Sequence, residues 1–545
     1  MKSNFPCLSV LRIPAVLLFI FLMTGRIFLF PLHGQTFQRT YGNSAAQTGT
    51  CIQPTKDGNY IISAMATGMG AGYNDCLLMK INTSGGLLWA KTYGGTGDDY
   101  PYFVASCADG GFILTGSTNS FGAGGTDVYL VRTDSNGNLL WSKTIGGAGT
   151  DIGWSVVEAS DGSFYTCGQT DSFDGPSPNG YLIKNDSGGN LVWTKVFDGP
   201  NSDIFYGMNK TRDGGLILTG QVGSNSFGSS DIWLVRTDAN GDTLWTSIYG
   251  KVTEDAGWSV IETADSGFAV TGDMHKDTLT LGAHNAVLLK TDSAGQMQWA
   301  KLYGSYPGSE IGYDLRQSSD KGYVILGNTG YYGNGSEDVL LFRTDSTGEL
   351  EWARTFGSSM QDDAWQFRKT ANDGNMIIGA TENFAANNYW DIYVIKTDSL
   401  GKDSCFENNV SPEVFVPFLQ QRRGFAFIAG GVEGNPATIV NTVTPLVGDP
   451  CSYAVGTWDT DTDLLQPWIY PNPFREATTI TLPPNLPGAS TYTFEVFDVF
   501  GKQQMISHFT GNQFTLRRGL LKEGTYFYKI SSGNSFSFSG KLFIQ

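Results

Sequence analysis

Short runs of alternating apolar and polar residues, separated by glycine-rich turns, recur in the same order along most of the chain. In one stretch they are Tyr102 to Ser106, Gly111 to Gly116, Asp127 to Thr133 and Asn138 to Thr144. A period of two carried by Val, Ile, Leu and Tyr predicts half-buried β-strands. The turn Asp109-Gly110 has counterparts at Asp57-Gly58, Asp161-Gly162, Asp213-Gly214 and Asp373-Gly374. Each supplies the positive φ of a tight hairpin. The last hairpin of the stretch, Asp134-Ser-Asn-Gly137, returns as Asp186 to Gly189, Asp238 to Gly241, Asp292 to Gly295, Asp345 to Gly348 and Asp398 to Gly401, with Asn82 to Gly85 in the first unit. The acid caps its own turn and the glycine takes the left-handed position, so these acids read as structural.

The tryptophans measure the repeat. Trp89, Trp141, Trp193, Trp245, Trp299 and Trp352 are 52, 52, 52, 54 and 53 residues apart, and each opens a phrase such as Trp89-Ala-Lys-Thr-Tyr-Gly94. A fixed period near 50 residues with four strands per unit is the mark of a radial repeat, in which each sheet buries both faces on its neighbours. Counting units by their third strands, at Asp75, Asp127, Asn179, Asp231, Asn285, Asp338 and Asp391, gives seven. The seventh has no Trp phrase after Gly401, whereas Phe37-Gln-Arg-Thr-Tyr-Gly42 stands alone at the front. That strand is therefore expected to complete the last sheet and close the ring, with an open solenoid as the alternative.

The phrase Asp134-Ser-Asn-Gly-Asn-Leu-Leu-Trp141 resembles the turn of pyrroloquinoline-quinone-type propeller repeats over roughly residues 36–402. The resemblance implies the fold and not the cofactor, whose metal and quinone ligands have no counterparts in this sequence.

After Gly401 the pattern stops, and Pro412, Pro417, Pro436, Pro445, Pro450 and Pro467 mark residues 403–467 as a linker or small appendage. Cys405 and Cys451 bracket it and could be bridged, although six cysteines outside the first 34 residues allow 15 full pairings. From Trp468 short alternating strands return and predict a small Ig-like β-sandwich. Tyr470-Pro471-Asn472-Pro473, then Asp498 with Gly501-Lys502, then Gly524 and Tyr526, then Lys541 near the end, resemble in order the type A C-terminal sorting domain of the type IX secretion system of Bacteroidota. The resemblance implies that residues 468–545 are read by the outer-membrane translocon. It also implies a passenger that is released or attached to surface polysaccharide, so that membrane association comes only through surface attachment.

The other end fits that route. Lys2 and Arg12 precede the apolar run from Ile13 to Met23, Arg26 interrupts it, and His33-Gly34 precede Gln35. Residues 1–34 read as a signal peptide rather than an anchor, so the protein is expected to reach the surface or the medium via the periplasm. The fold class expected is all-β, a seven-bladed β-propeller over residues 35–402 followed by the β-sandwich.

Composition narrows the partners. With 35 Lys+Arg against 52 Asp+Glu the net charge is −17, which repels phosphate backbones and argues against nucleic acid. Four histidines offer little for imidazole chemistry: His275 and His284 share an insertion with Asp277, but no third His accompanies them. No Gly-x-Ser-x-Gly elbow or phosphate-binding glycine loop is present, so no catalytic residue, resident metal or cofactor is assigned.

One constellation repeats beyond the turns. Ten residues after each Trp comes an acid, Asp99, Asp151, Asp203, Asp255 and Asp362, with Glu310 one residue later. Three residues further comes an aromatic, Tyr102, Trp154, Tyr206, Trp258, Tyr313 and Trp365. On innermost strands these residues would ring a channel mouth. The acids could accept sugar hydroxyls, or hold calcium, while the rings cover apolar sugar faces. The competing reading makes the rings wedges between sheets and the acids caps for loop N–H groups. The function expected is a non-catalytic binding or scaffold module on an exported protein. The alternatives are a lectin that uses this rim and a divergent propeller hydrolase or lyase.

Overall fold

The structure is a computed structural model that describes residues 36–448 and 468–544, apart from 174–176, 198, 276–283, 306–307, 383, 385–388, 404, 424–431, 435–438, 444–445, 471–474, 483–490, 499–501, 512, 520 and 533–535. The signal-peptide reading therefore lies outside the described residues. The chain divides into two compact units, Met1–Ala454 and Val455–Gln545.

Among the described residues of the first unit every regular element is a strand, and the strands form seven antiparallel sheets of four or five. The second sheet is typical, with Asp99–Ser106, Phe112–Thr118, Asp127–Thr133 and Leu139–Gly146 paired in chain order. The first opens with Gln47–Pro54, and the third to the seventh open with Asp151–Glu158, Asp203–Lys210, Asp255–Glu262, Glu310–Gln317 and Asp362–Lys369. Each opening strand lies against that of the next sheet, and Asp362–Lys369 lies against Gln47–Pro54. The seventh sheet takes its fourth strand from the front of the chain: Phe37–Gly42 pairs antiparallel with Asp391–Thr397, Phe37 opposite Lys396.

Middle strands are more buried than their alternation predicts. Phe112–Thr118 and Asp127–Thr133 are buried at every position, polar residues included, because apolar clusters cover both faces of the sheet. Val104, Leu114 and Val131 pack toward the first sheet, whereas Ile113, Val128 and Leu130 pack toward the third. A fully buried Leu such as Leu114 stabilises by about 1.5–3 kcal/mol. Arg132 reaches the edge of this core, where Nη2 pairs with Asp109 Oδ2 at 2.6 Å.

The segment read as a linker or small appendage supplies outer strands. Glu407–Val410, Glu413–Phe415 and Gln420–Arg423 pair in turn with the last strands of the sixth, fifth and fourth sheets. Val432–Gly434, Ile439–Val443 and Leu446–Gly448 then do the same for the second, first and seventh. The segment so runs round the unit against chain order and pairs edges that would otherwise present open N–H and C=O groups. Cys405 in it is disulfide-bonded. Cys51, Cys76, Cys107 and Cys167 are free and buried, and Cys451 lies outside the described residues.

The second unit holds a three-stranded sheet, Trp468–Tyr470, Ala477–Thr481 and Gln513–Arg517, and a four-stranded one, Gln503–Phe509, Tyr492–Phe497, Gly524–Ser532 and Phe536–Ile544. Ile480 and Leu516 of the first share a core with Phe494, Val496 and Ile530 of the second.

Candidate functional site

Each opening strand begins with the acid and reaches its aromatic three residues later, and there the ladder breaks. Pairing skips Tyr102, Trp154, Tyr206, Trp258, Tyr313 and Trp365, each the extra residue of a β-bulge. The bulge re-aims that one side chain out of the sheet. The opposing strand accommodates it with a glycine: a Cβ on Gly168 would stand 1.8 Å from the Ile152 carbonyl oxygen, and Gly116, Gly220, Gly272, Gly327 and Gly379 are equally crowded.

The six rings line a central cavity of about 420 Å³. Around it Tyr102 and Trp154 have centroids 4.2 Å apart, Trp154 and Tyr206 5.5 Å, Tyr206 and Trp258 4.2 Å, and Trp258 and Tyr313 5.3 Å. The first sheet interrupts the series. Its bulged residue is Thr50, whose Oγ1 lies 2.8 Å from Ser63 Oγ, and Gln47 replaces the acid.

The acids go elsewhere. Asp99, Asp151, Asp203, Asp255, Glu310 and Asp362 are buried and do not line the cavity. Asp99 Oδ2 accepts from the Gly95 N–H at 2.8 Å and from Ser120 Oγ at 2.7 Å, and Asp151 Oδ2 accepts from the Gly147 N–H at 2.8 Å. Asp203 accepts from the Gly223 and Ser224 N–H groups, Asp255 from Lys251, Glu310 from Ser305 and Asp362 from Ser358. They brace loops. Burial raises the pKa of Asp99, Asp151 and Asp362 from the ordinary carboxylate value, Glu310 to about 7 and Asp255, with Asp231 adding to it, also to about 7. The structure thus separates two halves of a motif that stand three residues apart in sequence.

Three residues not singled out from sequence complete the cavity. Asp314 follows Tyr313, and Arg316 and Arg368 each stand three residues after a ring. Asp314 is 2% exposed; its Oδ1 accepts from Arg316 Nη1 at 2.9 Å and from Ser259 Oγ at 3.1 Å, and its Oδ2 accepts from Arg368 Nη1 at 2.9 Å. Stacking the units exposes the signal: after each bulged residue come Cys51, Phe103, Ser155, Gly207, Ser259, Asp314 and Gln366, of which one is charged.

His275 and His284 face each other with ring centroids 4.1 Å apart, and His284 Nδ1 is 2.7 Å from Asp273 Oδ2, which raises its pKa. Asp277 lies outside the described residues, among which no cluster of three His, Cys, Asp or Glu could hold a metal.

In the second unit Asp498 and Lys502 close the hairpin between Tyr492–Phe497 and Gln503–Phe509. The Lys502 N–H donates to Asp498 Oδ1 and the Asp498 N–H to the Lys502 carbonyl, both at 3.0 Å. Tyr526 Oη donates to the Lys522 carbonyl at 3.1 Å two residues beyond Gly524. Tyr470 and Lys541 lie on strands, while Pro471, Asn472, Pro473 and Gly501 lie outside the described residues.

Residues 468–545 match the secretion system C-terminal sorting domain. A C-terminal type IX sorting domain places the protein at the cell surface or in the medium, reached via the periplasm, and implies interaction with the type IX machinery. The chain is also similar to the regulatory protein FlaEY of Caulobacter vibrioides, 26% identical over 252 residues, covering 39% of this chain and 25% of that one. The chain thus spans about a quarter of the length of that relative. Among solved structures it matches the extracellular domain of the one component system BT4673 of B. thetaiotaomicron at 10% identity, over 94% of this chain and 99% of that one. The TM-score of that match is 0.21.

Proposed function

We propose that residues 35–402 form a seven-bladed β-propeller of the pyrroloquinoline-quinone repeat type, with outer strands from the following segment, and that it is a non-catalytic binding module on a surface-displayed or released protein. Two observations support the closed ring: the opening strands neighbour one another in unbroken succession, and Phe37–Gly42 pairs into the seventh sheet. A signal peptide at residues 1–34, passage through the outer membrane and a bacteroidotal source belong to the same proposal.

The observation that carries the binding reading is the cavity lined by six bulged aromatic rings. Six rings turned out of their own sheets offer flat apolar faces to a ligand. Carbohydrate is the second reading, favoured by the same rings, with the acids acting behind them as braces. A glycan-array screen of the chain from Gln35 to Gln545, with and without calcium, tests both. Binding lost in a folded Trp154→Ala, Trp258→Ala variant supports a cavity site. Binding that survives the double substitution overturns it and moves the contacts to the outer loops of a scaffold.

A further inference from the structure

The cavity is not symmetric, and its departure from symmetry is electrostatic. Among the described residues its only charged lining residues are Asp314, Arg316 and Arg368, which leaves one positive charge in excess inside a protein whose net charge is −17. The two arginines use their donors differently. Arg368 donates from all three nitrogens: Nε to Gln53 Oε1 at 2.8 Å, Nη1 to Asp314 Oδ2 at 2.9 Å and Nη2 to Gln366 Oε1 at 3.2 Å. Arg316 spends Nη1 on Asp314 and on the Leu315 carbonyl, and among the described residues its Nε and Nη2 donate to none. Its side chain keeps 23% of its surface open, and the guanidinium carbon stands 5.8 Å from the centroid of the Phe367 ring.

A guanidinium with idle donors, held beside a second cation that a shared carboxylate only half neutralises, is a poor arrangement for stability alone. It suits an anion that takes the idle donors as charge-assisted hydrogen bonds. Burial and the neighbouring Arg368 lower the pKa of Arg316 to about 10, so it remains cationic at neutral pH. Carboxyl groups sit toward the other end of the same strands: Asp363 precedes Arg368 by five residues, about 16 Å of extended chain.

We infer that this sector of the cavity binds a small organic anion, its carboxylate or sulfate paired with Arg316 and its flat face packed on the neighbouring Tyr313 or Trp365 ring. The inference rests on the reading of the cavity as a binding site. Acidic sugars and aromatic carboxylates share the required chemistry.

The test titrates the chain from Gln35 to Gln545 with D-glucuronate and with 4-hydroxybenzoate, each against its uncharged counterpart, D-glucose and 4-hydroxybenzyl alcohol. Calorimetry and tryptophan fluorescence report binding. One anion is expected to bind at least about tenfold more tightly than its counterpart, a hydrogen bond to a charged group contributing about that much. The preference should weaken in salt, vanish in Arg316→Gln and partly return in Arg316→Lys. Whichever acid shows it identifies the source. Equal binding of charged and neutral probes that is lost in Trp258→Ala overturns the anion site and leaves the cavity reading standing. Absence of binding by every probe overturns both.

Discussion

The Tyr93 hydroxyl donates to the carbonyl oxygen of Gly137 at 2.6 Å, and so ties the last strand of the first sheet to the last turn of the second. Trp89, from the same strand, covers the Cα of that glycine. Trp141 meets Gly189 in this way, as do Trp193 and Gly241, Trp245 and Gly295, Trp299 and Gly348, and Trp352 and Gly401. At the seam Phe37 takes the place of the tryptophan against Gly85, whose carbonyl accepts from Tyr41. The period that counts the units is thus also the contact that joins them.

Gly137→Ala should destabilise the first unit by about 2–4 kcal/mol, since it combines a left-handed φ of +71° with a Cβ 2.8 Å from the Trp89 ring. Gly110→Ala is the comparison: φ is +91° there, but the nearest atom is 3.9 Å away, so only the backbone cost of about 1–2 kcal/mol applies. Urea midpoints of the two variants that coincide would show that the Trp-to-Gly contact joins nothing.

Gly168→Ala carries no left-handed strain and still collides with the Ile152 carbonyl. The bulge should flatten and Trp154 should leave its place beside Tyr102, 4.2 Å away. A changed near-ultraviolet circular dichroism spectrum with far-ultraviolet signal retained is the expected outcome.

Stability should peak near pH 4 and decline toward pH 8. Asp127, Asp231 and Asp338, raised chiefly by burial to about 6, and Asp255 and Glu310, at about 7, hold protons in the folded chain that the unfolded chain has released. Between about pH 4 and 7 the native state therefore binds more protons, so the stability these groups contribute is lost as pH rises. Below pH 4 the sign reverses for Asp265, which the Thr263 hydroxyl and Lys290 hold at about 2 against the effect of burial. Melting temperatures across this range check the dome, and a steady rise to pH 8 would contradict it.

A chain ending at residue 402 should aggregate and melt below one ending at 454, because it uncovers the last strands of six sheets. Light scattering and thermal melting of the two chains decide this.

Asp314→Ala should cost about 3–5 kcal/mol by leaving two neighbouring guanidinium groups without their shared carboxylate. Adding Arg316→Met should recover part of that loss in urea melts, as removing one of the two unneutralised charges relieves the other.

What could be read along the chain was what local chemistry repeats. The spacing from Trp89 to Trp352, the Asp-to-Gly turns and the lone phrase from Phe37 to Gly42 are each written within a few residues, as is the ordered set from Tyr470 to Lys541. The glycines at 116, 168, 220, 272, 327 and 379 also stood in plain view as breaks in otherwise apolar strands. Their meaning, a bulge on the strand opposite, depends on a pairing that period-two alternation cannot express.

The sequence by itself therefore determined the repeating unit, its turns, the strand that would close the series and the sorting domain at the end. Only the tertiary structure decided that Asp151 turns into a loop while Trp154 enters a cavity, because one unpaired residue reverses the direction of a side chain. It likewise decided that residues 407–448 run round the sheets as outer strands, since backbone pairing at an edge asks little of side chains and leaves little trace in composition. The meeting of Asp314, Arg316 and Arg368 is of the same kind: the two arginines stand 52 residues apart in sequence and become neighbours only when adjacent sheets pack.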